Sequence, residues 1–154
     1  MALELAKNHL EALGLGDRIM LFDVSTATVD LAAAAVGTEP ARIAKSLTFK
    51  VDDNPVMIIC AGDAKVNNSK YKAFFGTKAK MLSFDEVEAY IGHAVGGVCP
   101  FGIKEGVKVY LDESLKRFDI VYPACGTDNS AVKLTIAELE KASGSLQWID
   151  VCLY

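Results

Sequence analysis

The 154 residues include 51% hydrophobic and 23% charged residues, a composition typical of a soluble globular protein, and the length suits one domain over residues 1–154. A net charge of −4 argues against a protein that coats nucleic acid broadly. No apolar run approaches the ~20 residues of a membrane-spanning helix, and the N-terminal segment lacks the apolar stretch of a signal peptide, so we expect a cytoplasmic protein without a membrane partner.

Helices are predicted where apolar residues recur at helical spacing between capping signals. The predicted helices cover residues 2–13, 29–36, 68–75 and 84–91, with a short helix from Pro40 and a last one after Thr135. Each of the first four is followed by a glycine, as is common at helix C-termini. Ser83 with Glu86, and Thr135 with Glu138, have the spacing of capping boxes.

Strands are predicted over residues 18–24, 46–51, 56–61, 107–111, 119–124 and 131–135, and in the C-terminal segment LQWIDVCLY. Short turns between several of them, such as DDNP between the second and third, favour antiparallel pairs. No glycine motif for a dinucleotide or a nucleoside triphosphate is present. We therefore expect a single α/β domain with a mixed, largely antiparallel, barrel-like sheet surrounded by short helices.

The four cysteines are predicted to be free thiols. Cys60, Cys125 and Cys152 lie in apolar or strand-like segments, and none of the four belongs to a CxxC pair. Because the chain has two histidines and no zinc-type ligand spacing, we expect neither a metal nor a cofactor. His93 and Cys99, six residues apart, leave open the hypothesis of a thiol nucleophile beside an imidazole base.

The segment GGVCPFG, residues 96–102, has the composition of a stiff loop. Gly96 and Gly97 permit backbone conformations in which their amides face a ligand, while Pro100 fixes the chain, Phe101 packs and Gly102 turns it. Such a loop suits a carbonyl oxygen or a developing oxyanion. A tight structural loop without a ligand is the alternative.

Lys45, in ARIAKSLTF, falls where a short predicted helix meets an apolar strand. A lysine at such a junction either extends its ammonium group to the surface or presents a fixed positive charge at the mouth of a pocket. Ser46 adds a hydroxyl group beside it.

Five lysines and no acidic residue lie between Asp63 and Asp85, so this window carries a charge of +5 and the remaining chain −9. Tyr71, Phe74 and Phe75 are interleaved with the lysines. Lysines and aromatic rings together can contact a nucleic-acid backbone and its unpaired bases. The alternative is the solvated face of a helix whose aromatic side chains point into the core.

Four segments in order carry a family resemblance: IAKSLTF, CAGD at residues 60–63, YIGHAVGGVCPFG and ACGTDNSAVKLTIAEL. Over roughly residues 20–150 the chain resembles the YbaK/prolyl-tRNA-synthetase-associated-domain family. The family's lysine falls on Lys45, and its glycine–proline loop on Gly96, Gly97 and Pro100. Phe101 matches the residue after the proline, and the family's small-residue–glycine turn falls on Cys125 and Gly126.

The resemblance implies a free-standing deacylase that hydrolyses the ester bond of mischarged aminoacyl-tRNA, with a small amino acid on tRNA-Pro or a similar tRNA as its substrate. A second hydrolytic site is needed because one methylene group gives a synthetase only ~1–3 kcal/mol of discrimination. The implied partners are the 3′ acceptor end of aminoacyl-tRNA and a synthetase, with no metal. A non-catalytic module of the same fold, binding tRNA or a synthetase, is the alternative.

Departures from the family pattern bear on the substrate. Cys99 stands where similar proteins have serine or proline, which argues against an obligatory nucleophile, and His93 stands where they have tyrosine or another aromatic residue. Ala131 replaces an acidic residue of the cysteine-specific members, which makes cysteinyl-tRNA a poor candidate substrate.

The mechanism that the resemblance implies gives each site residue a role. Lys45 anchors the terminal adenosine or the aminoacyl group, the amides of Gly96 and Gly97 hold the carbonyl oxygen, and the attacking group is water or a group of the substrate. The acceptor stem contacts the lysine window through shape and phosphates. The predicted substrate-binding residues are Ser46, His93, Val98, Cys99, Pro100, Phe101 and Gly126, and the predicted tRNA-binding residues are Lys65, Lys70, Lys72 and Lys78.

Overall fold

Ten strands form three sheets in the computed structural model, which describes residues 2–154. In chain order they are β1 (Ile19–Leu21), β2 (Ile43–Val51), β3 (Asn54–Ala61), β4 (Lys65–Val66), β5 (Lys108–Asp112), β6 (Ile120–Pro123), β7 (Ser130–Val132), β8 (Leu134–Thr135), β9 (Trp148–Ile149) and β10 (Cys152–Leu153).

Within residues 2–154, five α-helices surround the sheets, namely α1 (Ala2–Ala12), α2 (Val29–Val36), α3 (Asn68–Phe75), α4 (Phe84–Ile91) and α5 (Ile136–Ser143). Short 3₁₀-helices cover Gly16–Arg18, Pro40–Arg42 and Glu113–Arg117. The two predicted capping boxes are confirmed at the starts of α4 and α5. None of the helices within residues 2–154 combines the length and apolar character needed to span a membrane.

The hairpin of β2 and β3 is the centre of the fold. The strands pair antiparallel over eight residue pairs, from Ala44 opposite Ala61 to Val51 opposite Asn54. The turn holds Asp52 and Asp53 in the left-handed region, with φ of 50° and 64°, a conformation that aspartate tolerates in tight hairpins. Residues 56–61 of β3 are all buried, because β3 has a paired strand on each side and both faces of the sheet are covered there.

The main sheet has the order β8-β6-β2-β3-β5-β9 and curls into a half-barrel. Two of its pairs are antiparallel, β2 with β3 and β6 with β8, while three are parallel, namely β2 with β6, β3 with β5 and β5 with β9. The predicted α/β class with a mixed sheet is therefore confirmed.

Two small antiparallel sheets complete the fold, β1 with β7 and β4 with β10. One large apolar cluster fills the space between the main sheet, α1, α3, α4 and α5. A smaller cluster joins α2 to the start of β2 through Ala32, Ala33 and Ile43. Between α2, β2 and α4 this arrangement leaves an open cavity.

Candidate functional site

A cavity of about 400 Å³ opens between β2, α2, α4 and the loops that precede α2, β5 and β7. Its walls are mostly apolar, with Ile43, Leu47, Leu82, Val87, Val98 and Tyr122 among the lining residues. Of the residues described, those that line it include no carboxylate, imidazole or thiol side chain. The hydroxyl groups of Thr26 and Thr28 are held by backbone groups of the protein. The wall therefore presents apolar surface, with few polar groups free for a ligand.

Lys45 brings a positive charge into this wall. The residue lies on β2 opposite Cys60, and its Nζ donates to the carbonyl oxygens of Gly62, at 3.2 Å, and Ala64. An ammonium group has three N–H donors, so one remains for a ligand. The sequence left open whether Lys45 extends to the surface or lies at a pocket, and the structure places it in the wall of the cavity.

The carbonyls that hold Lys45 belong to a rigid turn. Asp63, between them, accepts two hydrogen bonds from Arg117 at 2.9 and 2.6 Å, and this ion pair lowers the pKa of Asp63. Gly62 packs so tightly that an added Cβ would lie 2.0 Å from the Pro40 carbonyl oxygen. The ammonium group is therefore held in a defined place.

The glycine-rich loop presents two backbone amides without an internal partner. Gly96 lines the cavity with a left-handed φ of 101°, and Val98 lines it as well. Within residues 2–154 the amides of Gly96 and Val98 donate to no other group, whereas the Gly97 amide donates to the Ala94 carbonyl at 3.1 Å. Gly96 and Val98, rather than Gly97, are therefore the cavity-lining residues of this loop whose amides have no partner in the described chain.

Gly97 has a different role in the loop. An added Cβ at Gly97 would lie 2.5 Å from the Thr127 nitrogen and 2.6 Å from the Gly126 carbonyl carbon. The Gly126 amide donates to the Gly97 carbonyl at 2.9 Å. At Gly97 the backbone of the loop therefore packs directly against the backbone of the turn at Gly126, without room for a side chain.

Three of the predicted substrate-binding residues lie beneath the loop instead of in the cavity wall. His93, Cys99 and Phe101 are fully buried in the core and are absent from the lining of the cavity. His93 Nε2 lies 2.7 Å from the Phe101 carbonyl oxygen and 3.5 Å from Cys99 Sγ. None of the three contacts the cavity, because the loop turns these side chains inward.

The burial also bears on the thiol hypothesis. Burial raises the pKa of the Cys99 thiol and lowers the pKa of His93, so both groups are held in their neutral forms. Burial likewise raises the pKa of the nearby Cys125 to about 11. A protonated thiol without access to the cavity is not a nucleophile for a ligand there, and the structure contradicts that alternative.

The remaining predicted residues divide between the wall and its support. Ser46 lines the cavity, and its buried Oγ has no hydrogen-bond partner. Pro100 and Gly126 are buried and do not line it. Gly126, with φ of 90°, packs against the N-terminal turn of α1, where an added Cβ would lie 2.6 Å from the Ala2 carbonyl oxygen.

The four predicted tRNA-binding lysines lie on and around α3 rather than in one row. Lys65, Lys72 and Lys78 are exposed. Lys70 is half-buried and donates to Asp150 at 2.9 Å and to the Cys152 carbonyl at 3.0 Å, and the ion pair with Asp150 raises its pKa. Lys70 therefore also anchors the C-terminal strand.

The apolar rim of the cavity was not predicted from the sequence. Phe84, Met81 and Val95 line its mouth with 75%, 57% and 50% of their surface exposed. Phe84 is the first residue of α4, whose start is fixed by the capping box and by an ion pair of Lys50 with Glu86 that lowers the pKa of Glu86 to about 2. The sequence held one signal for this rim: Phe84 is an aromatic residue directly after the predicted N-cap Ser83, a position that requires no contact with the core.

The segment before α2 was also missed. Residues 26–29 line the cavity, and Thr26 is tied to β7 because its hydroxyl group donates to the Ser130 carbonyl and accepts from the Ser130 amide. Tyr122 lines the opposite wall from β6. No local motif marks these positions, since only the long-range pairing of the strands brings them together.

Comparisons with known proteins match most of the chain. The model of the aminoacyl-tRNA editing domain matches residues 23–142. The uncharacterised protein YwhH of Bacillus subtilis is 48% identical over 153 residues, 99% of this chain and 98% of that protein. A proline–tRNA ligase of Bacillus cytotoxicus is 28% identical over 147 residues, which are 95% of this chain but only 24% of the ligase. A crystal structure provisionally described as a trans-editing enzyme for prolyl tRNA synthetase has a TM-score of 0.89 and 29% identity over 99% of this chain and 98% of that one.

Proposed function

Because the chain belongs to the aminoacyl-tRNA editing domain family, we propose that it is a deacylase that hydrolyses the ester bond of mischarged aminoacyl-tRNA in the cytoplasm. The observation that carries the proposal is the cavity itself. Lys45, Gly96 and Val98 all line a largely apolar space of about 400 Å³; the Lys45 ammonium group keeps one N–H without an acceptor, and the amides of Gly96 and Val98 have no partner in the described chain.

The hydrolysis needs little from the protein beyond positioning. The oxygen of the attacking group adds to the ester carbonyl carbon, the carbonyl oxygen becomes an oxyanion, and the bond to the ribose oxygen then breaks. The Gly96 and Val98 amides stabilise the oxyanion, which is the group whose charge grows in the transition state. Lys45 adds a positive charge that holds the aminoacyl or adenosine end in place.

The attacking group comes from outside the protein in this proposal. No carboxylate, imidazole or thiol is among the residues of the described chain that line the cavity, and Cys99 is inaccessible. A water molecule then serves as the nucleophile: its oxygen becomes part of the released carboxyl group, and one of its protons passes to the leaving ribose oxygen. Attack by the neighbouring ribose hydroxyl group would only move the ester along the ribose without releasing the amino acid. The site acts by orientation and charge, which suits an ester that is already labile.

The walls favour a small amino acid with an apolar side chain. Ile43, Leu47 and Val98 present aliphatic surface, and hydroxyl groups such as that of Thr26 are already hydrogen-bonded within the protein. A positively charged side chain placed there would lose its hydration, and no carboxylate among the described residues of the lining would compensate it. We infer alanine or a similarly small apolar residue, and tRNA-Pro as the carrier, which the similarity to proline–tRNA ligases supports.

The rim fits the end of the tRNA that carries the ester. The ester joins the amino acid to the terminal ribose, so the terminal base lies at the mouth when the carbonyl is inside. Phe84 offers an exposed ring on which a base can stack, and stacking is worth about 1–3 kcal/mol per base. Lys72 and Lys78 are exposed, and we propose that they contact phosphates farther along the acceptor stem.

Release of free amino acid from a panel of mischarged tRNAs tests the proposal. Alanyl-, cysteinyl-, seryl- and threonyl-tRNA are each incubated with the protein and with buffer alone. We expect alanyl-tRNA to be deacylated fastest and cysteinyl-tRNA to stay near the buffer rate. Binding of these tRNAs without release above buffer would refute the deacylase and support the non-catalytic module of the same fold.

A further inference from the structure

The two histidines of the chain form hydrogen bonds with the carbonyl oxygen and the amide N–H of one peptide group. We propose that this pair of hydrogen bonds, here called the clamp, positions the loop that carries the Gly96 and Val98 amides. His93 Nε2 lies 2.7 Å from the carbonyl oxygen of Phe101, and the amide of Gly102 donates to His9 Nδ1 at 3.1 Å. The Phe101 carbonyl and the Gly102 amide belong to the same peptide bond. The catalytic part of this inference rests on the proposed function, whereas the clamp itself is a property of the loop.

The His93 contact closes the loop at its base. His93 and Phe101 stand at the two ends of the segment that contains Gly96 and Val98, and both are fully buried. A carbonyl oxygen only accepts, so Nε2 of His93 carries the proton and donates it. The hydrogen bond therefore fixes the separation of the two ends from which the loop projects into the cavity.

The His9 contact ties the same peptide to two helices. Nδ1 of His9 accepts from Gly102, so the proton of this ring is on Nε2, which donates to the Ala142 carbonyl of α5 at 2.7 Å. Gly102 packs directly on α1, where an added Cβ would lie 2.4 Å from the Leu5 carbonyl oxygen. The family match begins at residue 23, so α1 supplies this contact from outside the matched part.

Both rings act through the loop and contact no ligand, so they are positioning residues. The loop is otherwise fixed at its tip, where the Gly126 amide donates to the Gly97 carbonyl at 2.9 Å. Releasing the base lets the Gly96 and Val98 amides shift together relative to Lys45. A displacement of about 1 Å at a catalytic donor lowers a rate by up to roughly 100-fold.

The first test uses the unaltered protein and needs no substrate. ¹⁵N NMR of the imidazole nitrogens at pH 7.5 distinguishes the two neutral tautomers. We expect both His9 and His93 to be neutral and protonated on Nε2. An Nδ1-protonated ring, or a positively charged one, at either position would overturn the clamp.

The second test uses a matched pair of variants. His93→Leu removes the donor and keeps most of the volume, whereas His93→Gln keeps an N–H donor at the corresponding distance. We expect His93→Leu to lower kcat by about 10- to 100-fold with little change in KM, and His93→Gln to restore kcat to within about threefold. Val109→Ala, in the core on β5 away from the cavity, serves as a destabilised control with unchanged kcat.

Hydrogen exchange of the Gly126 amide reports the loop position independently of activity. We expect its exchange to be at least about tenfold faster in His93→Leu than in Val109→Ala, because the bond to the Gly97 carbonyl loosens. Equal protection in the two variants, or a kcat of His93→Leu equal to that of the control, would overturn the clamp. If the unaltered protein releases no amino acid, the proposed function fails, and the tautomers and the Gly126 exchange still decide the clamp.

Discussion

A methyl group added at Gly97 gives a sharp test of how the loop is held. In Gly97→Ala the new Cβ would lie 2.5 Å from the Thr127 nitrogen and 2.7 Å from its Cα. Ordinary van der Waals contact begins at 3.4 Å, so the shortest contact is 0.9 Å too close. The atoms on the other side are backbone and cannot rotate away, so the loop itself must move.

The consequence follows from the size of that displacement. A shift of about 1 Å carries the Gly96 and Val98 amides away from the ester carbonyl, and kcat is expected to fall on the order of 100-fold. Stability falls too, by about 1–3 kcal/mol, because the site is overpacked. The two losses have one cause, but only the first depends on the function of the loop.

Gly76→Ala separates stability from function. Gly76 also has a left-handed φ, 75°, but an added Cβ meets nothing within 4 Å and the residue does not line the cavity. This variant is expected to lose about 1 kcal/mol from backbone strain while keeping its rate. Single-turnover deacylation and urea unfolding of both variants make the comparison. A Gly97→Ala protein as active as Gly76→Ala would refute the role given to the loop.

Three further predictions address the rim, the lysines and the effect of pH. Phe84→Ala should raise the KM for aminoacyl-tRNA about tenfold, because the terminal base loses its stacking partner. The KM for an aminoacyl ethyl ester, which lacks the base, should not change. An equal effect on both substrates would show that Phe84 does not stack on the base. Neutralising Lys72 and Lys78 to glutamine should lower the slope of log affinity for tRNA against log salt by about 1.8, at ~0.9 per phosphate contact on a duplex. Lys141→Gln, at an exposed position of α5, should leave the slope unchanged. An unaltered slope in the double variant would return the lysines to a solvated face. Burial lowers the pKa of His93 in the folded state, so on acidification the unfolded chain binds a proton before the folded chain does. The free energy of unfolding should therefore fall as the pH drops below about 6.5, and His93 should account for up to ~1.4 kcal/mol of this fall per pH unit. This contribution of His93 should be missing in His93→Gln, as measured by urea unfolding from pH 8 to 5. A variant whose free energy of unfolding depends on pH as that of the unaltered protein does would contradict the prediction.

Local signals predicted the helices and the antiparallel hairpin of β2 and β3, but not how the remaining strands pair. The predicted bounds of α2, α3 and α4 agree with the structure because a side-chain cap begins each helix and a left-handed glycine ends it. The segment 131–135 was predicted as one strand, but it divides into β7 and β8, which belong to different sheets. The parallel pairs, such as β3 with β5, are contacts between distant segments that no short pattern encodes.

The site was predicted in part, for a similar reason. Lys45, Ser46, Gly96 and Val98 line the cavity, as the loop and strand motifs indicated. The alternation of a strand predicts the direction of a side chain, but the direction of a loop side chain depends on tertiary contacts. His93, Cys99 and Phe101 were therefore placed correctly in the loop but on the wrong side of it.

The identity of the usable amides could not be predicted from sequence either. Gly96 and Gly97 are equivalent in sequence terms, since both permit unusual backbone angles. The bond from the Gly97 amide to the Ala94 carbonyl makes them different, and the Val98 amide becomes available beside Gly96. Such internal bonds decide which donors a ligand can use.

The decisive measurement is the rate of alanyl-tRNA deacylation by Lys45→Ala compared with that by Lys141→Ala. Lys45 lines the cavity and holds its ammonium group against the Gly62 and Ala64 carbonyls, whereas Lys141 is exposed on α5. We expect Lys45→Ala to fold and to lose at least about 100-fold in single-turnover rate, and Lys141→Ala to keep its rate. A Lys45→Ala protein that deacylates at the rate of the Lys141→Ala control would show that the Lys45 ammonium group has no part in the reaction.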